Sequence, residues 1–143
     1  MKQDKRIKEK DKGQKEKDKR KKGKDKSMAS KNDLEDRLFK FAVRVIKFIR
    51  TLSDTTEYKV IKYQLVKSST STGANYEEAQ AGSSKADFTN KVRISLREMR
   101  ESNYWLRLIN GISEDTNEEL AYLIQESKEL KLILGAIVNK SRQ

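Results

Sequence analysis

Between Leu34 and Val138 four stretches carry apolar side chains at spacings of three and four, and the 143-residue chain has no proline to interrupt any of them. That spacing gathers apolar groups on one face of an α-helix. Four such stretches of roughly 20 to 27 residues, joined by short polar connections, predict an all-α, up-and-down four-helix bundle. With only six glycines, few breaks in regular structure are forced.

The first helix is signalled by a cap at Asn32 or Asp33, with Asp36 adding acid to the first turn, and runs to Leu52. Leu34, Leu38, Phe41, Val45, Phe48 and Leu52 form one stripe, and Phe39, Ala42, Ile46 and Ile49 form a second beside it. Together they cover roughly 180° of the helix, which is wider than one core needs. The surplus marks a protein-protein surface. Ser53 to Thr56 reads as a turn and a new cap, followed by a second helix from about Glu57 to Gln80 whose inner face is Ile61, Leu65, Ser68, Thr72, Tyr76 and Ala79. Its segment Ser68 to Ala74 is a poor helix former, so packing must hold it, and its small side chains let a neighbouring backbone approach. Gly73 stands alone there, unlike the glycine-rich loops that cradle phosphates.

After the loop Ala81 to Ser84, the third helix starts at Ser84 or Asp87 and runs to about Gly111. Phe88, Val92, Leu96, Met99, Leu106 and Asn110 are its expected inner face, and Ile94, Trp105, Leu108 and Ile112 a second, narrower strip. The fourth helix follows Asn117 and sets Leu120, Leu123, Ile124, Ser127, Leu130, Leu134, Ile137 and Val138 on one face. Phe39, Ile46, Ile49, Ile94, Trp105 and Leu108 are the candidate oligomer interface.

Charge divides the chain. Residues 1–31 hold 15 basic and 6 acidic side chains, an excess of nine, which leaves an excess of two for residues 32–143 out of the total of +11. The first segment has almost no apolar groups, so nothing offsets the roughly 1 to 2 kcal/mol per residue of ordering entropy, and it is expected to be a disordered basic polyampholyte arm. Such an arm either contacts phosphates or is a solvated tail. Met28, just before the helical region, also suggests that translation begins there; an intact mass of cell-derived protein that includes the arm would dismiss this.

The chain has no histidine and no cysteine. That leaves no Ser-His or Cys-His nucleophile pair, no zinc site of the usual type, and no Glu-x-x-His motif of the di-iron bundles. Glu98-x-x-Glu101 is the one spacing suited to a hard cation, against the simpler reading of carboxylates paired with Arg97 or Arg100. The expectation is a protein that is not an enzyme, with no cofactor and no metal. A signal-peptide core and a run of about 18 apolar residues are both missing, so no membrane is expected and the cytoplasm is the simplest location.

Two basic stripes carry more information. On the first helix Arg37, Lys40, Arg44 and Lys47 recur at three and four residues, opposite the apolar arc, with Arg50 near the end. On the third, Arg93, Arg97, Arg100, Tyr104 and Arg107 do the same with an aromatic interleaved. Guanidinium groups pair with phosphates, and a tyrosine ring can stack on an unpaired base. The plainer alternative is a solvated helix face, and oligomerisation would repeat a weak stripe into a continuous basic surface.

The run Gln64 to Ala79, containing Ser-Thr-Gly-Ala-Asn-Tyr-Glu-Glu-Ala, then Ala86-Asp87-Phe88, Ile94-Ser95-Leu96-Arg97-Glu98, Glu101 and Tyr104-Trp105-Leu106, resembles the four-helix bundle proteins encoded in 23S rRNA intervening sequences. The likeness spans about Leu34 to Ile112. It implies a bundle that assembles as a ring, commonly a homopentamer. It is also similar in fold to the accessory proteins of diversity-generating retroelements, which partner a reverse transcriptase and bind nucleic acid. It carries over no catalytic residues. The reading that follows is an oligomeric RNA- or DNA-binding protein acting through phosphate contacts, and the alternative is a structural adaptor docking a partner such as a reverse transcriptase.

Overall fold

The computed structural model describes residues 30–82 and 84–142, with side chains from residue 33 onward. Four helices follow one another: α1 (Ser30–Ile49), α2 (Thr56–Gln80), α3 (Lys85–Ile112) and α4 (Glu118–Ser141). The chain divides into two units, Met1–Leu34 and Glu35–Gln143. The bundle belongs to the second, to which α1 contributes its residues from Glu35. Of the first unit, the described part is the opening of α1, which begins at Ser30, inside the expected arm. The rest of that arm and the expected start at Met28 lie outside the described residues.

The helix ends follow from local chemistry. Ser84 caps α3 by accepting from the Asp87 amide at 3.1 Å, and Asn117 caps α4 by accepting from the Leu120 amide at 2.9 Å. α1 stops at Ile49 rather than Leu52. The Thr51 and Leu52 amides bond back three residues to the Phe48 and Ile49 carbonyls, and the Thr51 hydroxyl adds a 2.6 Å bond to the Phe48 carbonyl. Three-residue bonds tighten the last turn and turn the chain out of the helix.

Cross-helix pairs define the topology. Arg37 and Arg44 on α1 reach Glu126 and Glu119 on α4. On α2 and α3, Ser68 meets Ser102 and Glu78 meets Lys91. Between α3 and α4, Asn103 meets Ser127 and Thr89 meets Ser141. Partner numbers fall on one helix as they rise on the next, so each of these neighbours is antiparallel. Leu38 lies against Gly73, which closes the ring between α1 and α2.

The core is the predicted one in most positions: Leu38, Phe41, Val45 and Phe48 from α1, Ile61, Leu65, Tyr76 and Ala79 from α2, and Leu120, Leu123, Leu130, Leu134 and Val138 from α4 are buried. Each large side chain so buried contributes about 1.5 to 3 kcal/mol. α3 departs from expectation at both ends: Phe88 is half-buried beside the buried Thr89, and Asn110 is exposed while Ile109 faces the core instead. Its inner line continues from Met99 through Ser102, Asn103 and Leu106 to Ile109; Ile109 and Asn110 stand three and four residues beyond Leu106, so spacing alone does not choose between them, and the apolar side chain is the one buried. Where α2 and α3 meet, the buried side chains are hydroxyls. Ser102 donates to Ser68 at 2.8 Å and Ser95 donates to the Thr72 carbonyl at 2.7 Å, so the polar groups are satisfied while the backbones come close. A Cβ at Gly73 would stand 3.6 Å from Leu38 Cβ and 3.8 Å from its carbonyl carbon, the close backbone approach that the small residues of α2 imply.

Candidate nucleic-acid interface

The two basic stripes have different fates. On α1, Arg37 and Arg44 do not stand opposite the apolar arc, as the sequence suggests, but on its flank facing α4. The Arg37 guanidinium grips Glu126 through Nε and Nη2 and donates a further 2.6 Å bond from Nη2 to Glu129. Glu126 is buried, and Arg37 retains a third of its side-chain exposure. One heptad later, Arg44 takes Glu119 with Nε and Nη2 at 2.9 and 2.7 Å, and its guanidinium carbon lies 3.5 Å from the centre of the Tyr122 ring. The hydrogen bond from Arg44 holds the Glu119 carboxyl below the usual carboxylate range and raises Arg44 in turn. Lys40 is exposed and pairs with Asp36 one turn earlier. Lys47 and Arg50 are exposed, with no ion pair among the described residues.

On α3, Arg93, Arg97, Arg100, Tyr104 and Arg107 fall within about 80° of one another on the helical wheel, and all five are exposed. Arg97 has a loose 4.0 Å contact with the neighbouring Glu98. Among the described residues, Arg93, Arg100 and Arg107 have no carboxylate within ion-pair reach. Arg107 is held differently: its Nε donates to Asn103 Oδ1 at 2.9 Å, and its guanidinium carbon is 5.9 Å from the centre of the Tyr104 ring. Tyr104 meets Trp105 edge-on, with ring centres 5.2 Å apart at 74°. Lys128 on α4 is exposed next to the Ser127 that binds Asn103, a cation that lies off any single helical stripe.

Of the expected apolar interface, Phe39 stands 63% exposed, Ile46, Ile49, Ile94 and Leu108 are half-buried, and so is Trp105, whose Nε1 is buried without a partner. Phe39, Ala42, Val43 and Ile46 line a groove of about 310 Å³ against Gly73 and Ala74 of α2. Leu132 on α4 and Val60 and Tyr63 on α2 are also largely exposed, and the sequence had not singled them out. Glu98 is half-buried, and burial followed by the nearby Glu101 charge raises its carboxyl above the usual range. No group of three or more metal-binding side chains occurs among the described residues. Nor is any helix among them long and apolar enough to cross a membrane.

The fold therefore defines an all-α four-helix bundle protein, with one arginine-rich flank engaged between helices and one open. The chain belongs to the 23S rRNA-intervening sequence protein family, whose model matches residues 30–136. It is similar to a protein of unknown function from the S23 ribosomal protein family of Bacteroides thetaiotaomicron, seen in a crystal structure. The two are 34% identical with a TM-score of 0.67, over 73% of this chain and 97% of that one. Comparison with curated proteins gives no match.

Proposed function

We propose that this chain is a non-enzymatic, self-associating protein that binds RNA or DNA through the outer face of α3. The observation that carries this reading is the row Arg93, Arg97, Arg100 and Arg107. These side chains are exposed, and three of them have no carboxylate partner among the described residues. Phosphate is the ligand that planar, multiply donating guanidinium groups suit best. Family membership supports a nucleic-acid context, since the family is named for a sequence interrupting ribosomal RNA. Self-association through Phe39, Ile46 and Ile49 is supported by the exposed apolar groove on α1, and a ring of subunits would multiply the basic row. The cytoplasm is the location this reading requires.

Binding of this kind is sequence-tolerant and falls steeply with salt. The test is a titration of the full chain with a structured RNA at low and high salt, with size exclusion and light scattering for its assembly. Arg97→Glu combined with Arg100→Glu is expected to weaken binding on the order of 100-fold at low salt. Unchanged binding would remove α3 as the site. The second reading, a docking adaptor for a protein such as a reverse transcriptase, is favoured by the exposed Phe39 and Leu132. A monomeric chain that ignores RNA, encoded beside a reverse transcriptase gene, would decide for it.

A further inference from the structure

Arg107 differs from the other arginines of its row in being held in place. Its Nε is fixed by the Oδ1 of Asn103, a residue only 5% exposed, at 2.9 Å. Asn103 is itself fixed by α4, donating its Nδ2 to Ser127 Oγ at 2.9 Å and to the Ile124 carbonyl at 3.4 Å. The Ile124 carbonyl can only accept, so the amide must face it with nitrogen and leave its oxygen for Arg107. The support is neutral. It uses one of five N–H donors and leaves both terminal nitrogens, with the full positive charge, for an anion.

One turn earlier stands Tyr104, half exposed, its ring braced edge-on by Trp105 and 5.9 Å from the Arg107 guanidinium carbon. A rigid exposed ring beside an oriented, unneutralised guanidinium suits a ligand that joins a flat aromatic group to a phosphate. In a duplex each base face is covered by its neighbours, whereas an unpaired nucleotide offers the face and the phosphate together. We propose, resting on the nucleic-acid reading above, that Asn103, Tyr104 and Arg107 form a preorganised receptor for one unpaired nucleotide of a single strand. Tyr104 stacks on the base, Arg107 takes the phosphate, and Asn103 is the positioning residue.

The experiment is an anisotropy titration of the full chain with a labelled single-stranded RNA of about 12 nucleotides and with the same strand annealed to its complement, at two salt concentrations. Tyr104→Ala is expected to weaken single-strand binding on the order of tenfold and to leave duplex binding within about twofold, while Tyr104→Phe keeps both. Arg107→Gln is expected to lower the single-strand salt slope by about 0.7. Asn103→Ala should weaken single-strand binding with the salt slope retained, because the charge remains but its orientation is lost. Should that variant fail to fold, the two surface variants still decide. If the unaltered chain binds both forms but Tyr104→Ala changes neither, or both alike, the receptor is overturned and the broader reading stands. If the unaltered chain binds neither form, both fall together.

Discussion

The α1–α4 seam and the outer face of α3 are built from the same parts with opposite results. Each has arginines at three-and-four or heptad spacing and a tyrosine ring within cation–π reach of one of them: Arg44 over Tyr122, and Arg107 beside Tyr104. What differs is the neighbouring helix. At the seam α4 supplies the carboxylates of Glu119, Glu126 and Glu129. On α3 no neighbouring helix brings a carboxylate to Arg93, Arg100 or Arg107 among the described residues, and what holds Arg107 is the neutral amide of Asn103 on its own helix. A carboxylate turns an arginine into a structural fastening, while an amide orients it and leaves its charge available. A basic stripe is thus a binding surface only if the adjoining helix leaves it one.

The largest effect is expected from removing a fastening. Arg37→Ala leaves the buried Glu126 without its partner and is expected to cost about 2 kcal/mol or more in urea unfolding, below the roughly 3 to 5 of a fully buried pair because Arg37 is partly exposed. RNA affinity of the folded protein should stay within about twofold. By contrast, the Arg97→Glu and Arg100→Glu variant should keep its unfolding free energy within about 0.5 kcal/mol while binding collapses. If Arg37→Ala weakens binding as much as that double variant does, the division of labour between the two flanks is wrong.

Arg44→Lys should cost less, about 0.5 to 1 kcal/mol, because the pair with Glu119 is more exposed and what is lost is bidentate geometry and the stacking on Tyr122. Acid sharpens the same point. Since Arg44 depresses the Glu119 carboxyl, the stability this pair contributes is present above the ordinary carboxylate pKa and is lost as pH falls below it through the depressed folded value. Melting temperatures between pH 6 and pH 3 should therefore fall, and Glu119→Gln should flatten part of the fall. The smallest effect has the reverse sign. Glu98 is raised by burial and by Glu101, so its ionisation opposes folding as pH climbs past the ordinary value. Glu98→Gln should melt slightly higher at pH 7, with the gain vanishing near pH 4.

The helices were legible because a period of three and four is a property of each segment alone, and the caps at Ser84 and Asn117 are local chemistry. The seam was not read, because it depends on which helix lies beside which. Yet its signal stood in the sequence: Arg37 and Arg44 are seven apart on one helix, Glu119 and Glu126 are seven apart on another, and antiparallel packing brings such pairs into register. Asn103 is not legible in the sequence for the opposite reason. A polar residue between Met99 and Leu106 looks like a gap in an apolar face, and only the position of Ser127 shows that the gap holds a support for Arg107.

The hydroxyl-lined contact of α2 with α3 acts like an index pin. Ser102 on Ser68 and Ser95 on the Thr72 carbonyl, two turns apart on α3, tie that helix to α2 through small buried side chains. Sliding α3 by a turn would bring larger side chains to places that now fit a serine. The helix that carries the open arginines is therefore held in height against its neighbour, so any ligand lying along it would meet the same row of charges at the same level in every molecule.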